Sequence, residues 1–112
     1  MVYNDGDKYE GEFKDDKKNG KGTYYFNSQG WNGAIYVGDF KNDNREGKGI
    51  FYYKNGDRYE GEYSNDKRNG KGVYYFSNGD REMGDYFNGQ KIGKHVKLCS
   101  NGDITYQLYN IV

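Results

Sequence analysis

Hydrophobic and polar positions alternate with period two along most of the chain, the spacing of a strand with two unlike faces. In Tyr9-Glu10-Gly11-Glu12-Phe13 the rings and the glycine share one face and the two acids share the other. The run from Gly20 to Phe26 places Gly22, Tyr24 and Phe26 on one face and Lys21, Thr23 and Tyr25 on the other. Two such runs with turn residues between them predict a β-hairpin. The middle of that turn is held by Asp16, Asp43, Asp66 and Gly89 in successive copies, residue types that tolerate positive φ. Asn-Gly pairs at 55–56, 78–79 and 101–102 then link one hairpin to the next.

The hairpin recurs. Tyr9-Glu10-Gly11-Glu12-Phe13 aligns with Tyr36-Val37-Gly38-Asp39-Phe40, with Tyr59-Glu60-Gly61-Glu62-Tyr63 and with Glu82-Met83-Gly84-Asp85-Tyr86. A further glycine follows in register at Gly20, Gly47, Gly70 and Gly93, then Gly22, Gly49 and Gly72, with His95 standing in the fourth copy. Gly30, Gly56, Gly79 and Gly102 close the units. The first copy carries an insertion around Trp31 to Ile35, and the fourth lacks both its leading Tyr and its second Gly. The units run about 9–35, 36–58, 59–81 and 82–104, and 105–112 follow as a terminal strand or cap, all within one domain of residues 1–112.

Tyr-x-Gly-x-aromatic, then Gly-x-Gly and a closing Gly, in four copies from about Asp5 to about Asp103, resembles the MORN (membrane occupation and recognition nexus) repeat family. The resemblance implies an all-β fold, an elongated single-layer antiparallel sheet of tandem hairpins whose aromatic side curves inward. At two strands per unit the array advances about 10 Å per copy, so four copies span on the order of 40 Å. Glycine beside aromatic has a steric reading: Gly11 and its equivalents leave room for the rings of neighbouring units to lie across them. Val2-Tyr3 and Ile104 to Tyr109 alternate well enough to extend the sheet at its two ends, where strand edges stay unpaired unless covered. The chain opens inside the pattern, at Asp5-Gly6-Asp7-Lys8-Tyr9, which reads as a fragment or as one piece of a larger assembly.

Composition narrows the classes. Leu, Ile, Val and Phe together supply only 18 of 112 residues, but 14 Tyr bring the aromatic share to 19%, so a thin, partly wet core built on tyrosine is expected rather than disorder. Lys+Arg and Asp+Glu balance at 17 each, against the basic excess of a nucleic-acid binder. Cys99 has no second cysteine, and there is no Asn-x-Ser/Thr acceptor, signal segment or apolar run long enough for a membrane span. These features suit an intracellular, cytoplasmic setting, cytoskeletal or membrane-peripheral in the manner of the family.

Candidate chemistry is sparse. Gly20-Lys21-Gly22-Thr23 lacks the spacing of a phosphate-binding loop and no helix follows it. Asn42-x-Asn44-x-Glu46-Gly47 fails as a calcium loop because Tyr53 stands where a bidentate Glu is required. His95 and Cys99, four apart on a strand, lie roughly 13 Å from one another, too far to share a metal. The reading is therefore non-catalytic, with no cofactor, no metal and no small-molecule substrate.

Two features suit binding. The aromatic stripe of Tyr9, Phe13, Tyr36, Phe40, Tyr59, Tyr63 and Tyr86 is core in its innermost part. A one-layer strip cannot bury both faces, however, and Tyr25, Tyr52 and Tyr75 fall on the other one. This predicts a scaffold that holds partner proteins, or another copy of itself, through aromatic surface and strand edges. The alternative is a basic row of Lys17, Lys18, Arg45, Lys67 and Arg68, with Lys21, Lys48, Lys71, Lys91 and Lys94 nearby, docking on anionic phosphoinositide headgroups. Against it stand Asp15, Asp16, Asp43 and Asp66 within the row, and Glu12 and Glu62 placed to pair with Lys21 and Lys71 across strands.

Overall fold

The structure is a computed structural model that describes residues 1–28, 30 and 32–110. Among these the chain forms nine strands: β1 (Lys8–Lys14), β2 (Lys17–Tyr25), β3 (Ile35–Lys41), β4 (Asn44–Tyr52), β5 (Arg58–Ser64), β6 (Lys67–Tyr75), β7 (Arg81–Phe87), β8 (Gln90–Leu98) and β9 (Ile104–Tyr109). Each pairs antiparallel with the next in chain order, giving one open all-β sheet of 46 × 28 × 21 Å. The expected elongated single layer of hairpins is what forms. Trp31 of the insertion, and Ile111 and Val112 of the terminal segment, lie outside the described residues.

Two kinds of turn build it. Within each hairpin both central residues have positive φ: Asp15 and Asp16 at 52° and 64°, Asn42 and Asp43 at 50° and 72°, Asn65 and Asp66 at 49° and 71°, Asn88 and Gly89 at 49° and 85°. This mirror-image turn matches the right-handed twist of the strands it joins. Between hairpins, Tyr53 donates its N–H to Asp57 O at 2.9 Å and Gly56 to Tyr53 O at 3.1 Å; the same pair of bonds recurs at Tyr3–Asp7, Phe76–Asp80 and Cys99–Asp103. Val2 accordingly bridges Lys8, extending the sheet before β1.

Every hairpin also carries a bulge, where register shifts at Gly11/Phe13, Gly38/Phe40, Gly61/Tyr63 and Met83/Asp85. Glu12, Asp39 and Glu62 accept the main-chain N–H of Lys21, Lys48 and Lys71 there. The expected side-chain pairing of Lys21 with Glu12 is thus replaced: Glu12 holds the backbone, and the Lys21 ammonium pairs with Asp39 on the following strand.

The glycines serve the ring of their own unit, not that of a neighbour. A Cβ on Gly22 would lie 2.4 Å from Tyr9 Cε1, one on Gly49 2.4 Å from Tyr36 Cε1, and one on Gly72 2.4 Å from Tyr59 Cε1. The leading tyrosine therefore lies flat across the facing strand of its own hairpin, and only glycine admits it.

Candidate functional site

Laid down this way, the leading rings alternate with the aromatic four residues later in a continuous ladder across the sheet: Phe13, Tyr9, Phe40, Tyr36, Tyr63, Tyr59, Tyr86, His95, Tyr109. Successive centroids are 4.9 to 5.6 Å apart, and every pair meets edge to face, as ring quadrupoles prefer. Phe40 and Tyr63 thus wedge between the leading ring of their own unit and that of the unit before, and Tyr86 between Tyr59 and His95. The hydroxyls of Tyr9 and Tyr36 donate to Glu12 O and Asp39 O at 2.8 and 2.9 Å. Burial raises the pKa of Tyr36, Tyr59 and Tyr63 well above the ordinary phenol, so these groups stay protonated.

Of the seven rings singled out in the sequence, Tyr9, Tyr36, Tyr59, Phe40, Tyr63 and Tyr86 are buried, and they form the core. Phe13, with only Tyr9 beside it in the ladder, is 44% exposed.

The fourth unit keeps the slot while exchanging the strands that fill it. Its leading Tyr is Glu82 and its second Gly is His95. The His95 ring now lies over Gly84, where a Cβ would come within 2.4 Å of Cδ2. Nε2 donates to Asp85 O at 2.8 Å, the carbonyl that a tyrosine hydroxyl serves in the other units. Glu82 Oε2 stands 2.9 Å from His95 Nδ1 and 2.8 Å from Lys91 Nζ.

A second row of rings, half-buried except for the buried Phe51, runs beside the first: Tyr3, Tyr24, Phe26, Phe51, Tyr53, Tyr74, Phe76, with centroids 4.7 to 5.9 Å apart. Lys97 Nζ continues it, 4.7 Å from the Phe76 centroid. Between the two rows lie four cations in register. Lys18 sits over Tyr24 at 5.0 Å, Arg45 over Tyr63 at 5.0 Å, Arg68 over Tyr86 at 4.8 Å and Lys91 over Tyr109 at 5.2 Å. The basic row of the sequence therefore divides. Lys18, Arg45 and Arg68 lie along the aromatic face beside its rings, whereas Lys17 and Lys67 are exposed at the hairpin ends, Lys67 at the margin of the cleft that holds Arg68.

The hairpin-linking aspartates were not singled out from the sequence. Asp7 accepts from the Tyr24 hydroxyl at 2.8 Å and Asn27 N–H at 2.6 Å; Asp57 accepts from the Tyr74 hydroxyl and Ser77 N–H, both at 2.8 Å. Each clamps one turn to the next. Their signal was the Gly-Asp pair that precedes a strand at 6–7, 56–57, 79–80 and 102–103.

The opposite face carries a cross-strand row of Thr23, Val37, Ile50, Glu60, Val73, Met83, Val96 and Tyr106. Val37 is 40% exposed and Met83 36%, so no second layer covers them among the described residues. No group of three or more His, Cys, Asp or Glu gathers into a metal site among the described residues, and no helix is long and apolar enough to cross a membrane.

A search of curated proteins finds no match to the chain. The family model described as MORN repeat matches residues 9–31, 36–58 and 59–81, the first three hairpins, more than half of the sequence. Repeats of this kind are modules for interaction with proteins or membranes. Three matches in one register, on hairpins built around the same ring-over-glycine slot, establish that the chain belongs to the MORN repeat family.

Proposed function

We propose that the chain is a non-catalytic scaffold that holds partner proteins, or another copy of itself, through its aromatic face and strand edges. The observation that carries this reading is the second ring row with its fixed cations. Apart from the buried Phe51 it is half-buried, rich in hydroxyls and backed by the buried ring ladder, the character of a recognition surface. Because the inner ladder is core, the contact surface lies on Tyr24, Phe26, Tyr53 and Tyr74 rather than on Tyr36 or Tyr59 themselves. An intracellular setting fits the lone Cys99 and the sequence without an Asn-x-Ser/Thr acceptor.

A phosphoinositide role through Lys17, Lys18, Arg45, Lys67 and Arg68 draws less support, since Lys18 and Arg45 already hold the carboxylates of Asp43 and Asp66. The test is affinity capture by the immobilised chain, compared with Tyr53→Ala and Tyr74→Ala. Loss of the captured protein with an unchanged far-UV spectrum is expected. Capture that is indifferent to both changes would overturn the reading.

A further inference from the structure

The second and third hairpin turns each hand an aspartate back to the cation of the unit before. Asp43 Oδ1 accepts the Lys18 main-chain N–H at 2.8 Å and lies 3.7 Å from Lys18 Nζ. Asp66 Oδ1 accepts the Arg45 main-chain N–H at 3.0 Å and Arg45 Nε–H at 2.8 Å, while Arg45 Nη2 donates to Asp66 O at 2.7 Å. One carboxylate oxygen is thus caught between a backbone donor and a side-chain cation, against the rings of both rows.

In the third unit the same cation is Arg68, and the residue at the aspartate position is Gly89. Arg68 Nη2 donates to Gly89 O at 3.0 Å, reproducing the Arg45 bond to Asp66 O, so the guanidinium holds the same pose. Its Nε–H and main-chain N–H are the two donors that Asp66 occupies one unit earlier. No ion pair to Arg68 forms among the described residues, and Lys67 stands next to it without one. Phe51, Tyr53, Tyr63 and Gly89 wall the cleft in which Arg68 sits.

We infer that this cleft binds a carboxylate from an acidic segment of a partner protein, seated on Arg68 Nε–H and N–H as Asp66 is seated on Arg45. The inference rests on the scaffold reading and names the chemistry of its partner. The fold itself supplies the template for the ligand: a single carboxylate oxygen flanked by aromatic rings. The guanidinium and the backbone donor match a single carboxylate oxygen, as Asp66, which shares the cleft wall with Arg45 and Lys67, shows one unit earlier. The sites at Lys18 and Arg45 are closed by their own aspartates, so binding centres on the third unit.

The test uses the full chain labelled with nitrogen-15, following the Arg68 Nε–H and backbone amide resonances. The probes are acetyl-Leu-Asp-Leu-amide, its Asn counterpart, inorganic phosphate, and vesicles containing phosphatidylinositol phosphate. The Asp peptide is expected to shift both Arg68 signals, with the Asn peptide about tenfold weaker or less, as loss of a charge-assisted bond dictates. Gly89→Asp should abolish the response. A Cβ there meets nothing within 4 Å, and Asp43 and Asp66 already adopt φ of 72° and 71° at the equivalent position, so the fold tolerates it. Arg68→Gln should abolish it as well.

Equal shifts by Asp and Asn peptides, or an unaltered response in Gly89→Asp, would overturn the inference. So would a response to phosphate or vesicles with none to the Asp peptide. If Gly89→Asp captures a partner as well as the native chain does, the carboxylate site falls and the scaffold stands. If the peptide binds at Arg68 while Tyr53→Ala and Tyr74→Ala leave capture intact, the scaffold falls and the site stands.

Discussion

At the scale of single residues, the fold depends on a ring and a gap that must face one another. The fourth unit shows that either strand can supply the ring: Tyr59 lies over Gly72, whereas His95 lies over Gly84 from the opposite strand. The sequence marked residues 82 and 95 only as two departures from the repeat. That they compensate becomes visible once register places them on facing strands, because a period-two pattern says which face a residue occupies and not what stands across from it. The two positions should therefore be strongly coupled. His95→Gly removes a fully buried ring and is expected to cost about 3 kcal/mol. Glu82→Tyr puts two rings into one slot and should cost about as much by overpacking. The double variant restores the pairing of the other units and should recover most of both losses. Urea unfolding of the four proteins measures the coupling; additive losses would show that the two positions do not share the slot.

At the scale of the element, hairpins are joined by more than strand pairing. Asp57 reaches from the turn before β5 to Tyr74 on β6 and to Ser77 in the following turn. Burial by itself would raise this carboxyl; the hydrogen bonds from Tyr74 and Ser77 outweigh it and hold the pKa below its ordinary value of 3.8. Asp7, bonded by Asn27 N–H and the Tyr24 hydroxyl, is lowered for the same reason. A carboxylate with a depressed folded pKa stabilises fully above its unfolded value, and that contribution is lost as pH falls through the folded one. The native chain should therefore lose urea resistance between pH 6 and pH 3, and Asp57→Asn should lose about 1 kcal/mol less, having already lost the bond at pH 6. Equal pH dependence in the two proteins would remove the clamp from the account. These aspartates were legible as a recurrence but not as a contact. Their partners lie 17 and 20 residues onward, a separation that no local pattern links.

At the scale of the molecule, the chain is close to one-dimensional: each hairpin touches only its neighbours, and the inner ring ladder runs through all of them. The copy number, the hairpins and the ring faces were readable because each rests on spacing alone. The burial of the cations against rings was not, because Lys18, Arg45 and Arg68 read as a charged edge until the second ring row is seen beside them. In such an array the cost of a lost ring follows its place in the ladder. Phe13 stands at one end, 44% exposed and against Tyr9, while Tyr59 is fully buried between Tyr63 and Tyr86. Phe13→Ala is expected to cost under about 1 kcal/mol, within the range of a half-exposed site. Tyr59→Ala should cost about 3–5 kcal/mol and break the ladder into two parts. The more telling sign is in amide exchange. Losing Tyr59 should lower protection sharply in β5 to β9 and more gently in β1 to β3, because it cuts the ladder between Tyr63 and Tyr86 and detaches Tyr86, His95 and Tyr109 from the longer part. A uniform fall along all nine strands would mean that the sheet unfolds as one cooperative body, with no role for the ladder in passing stability from hairpin to hairpin.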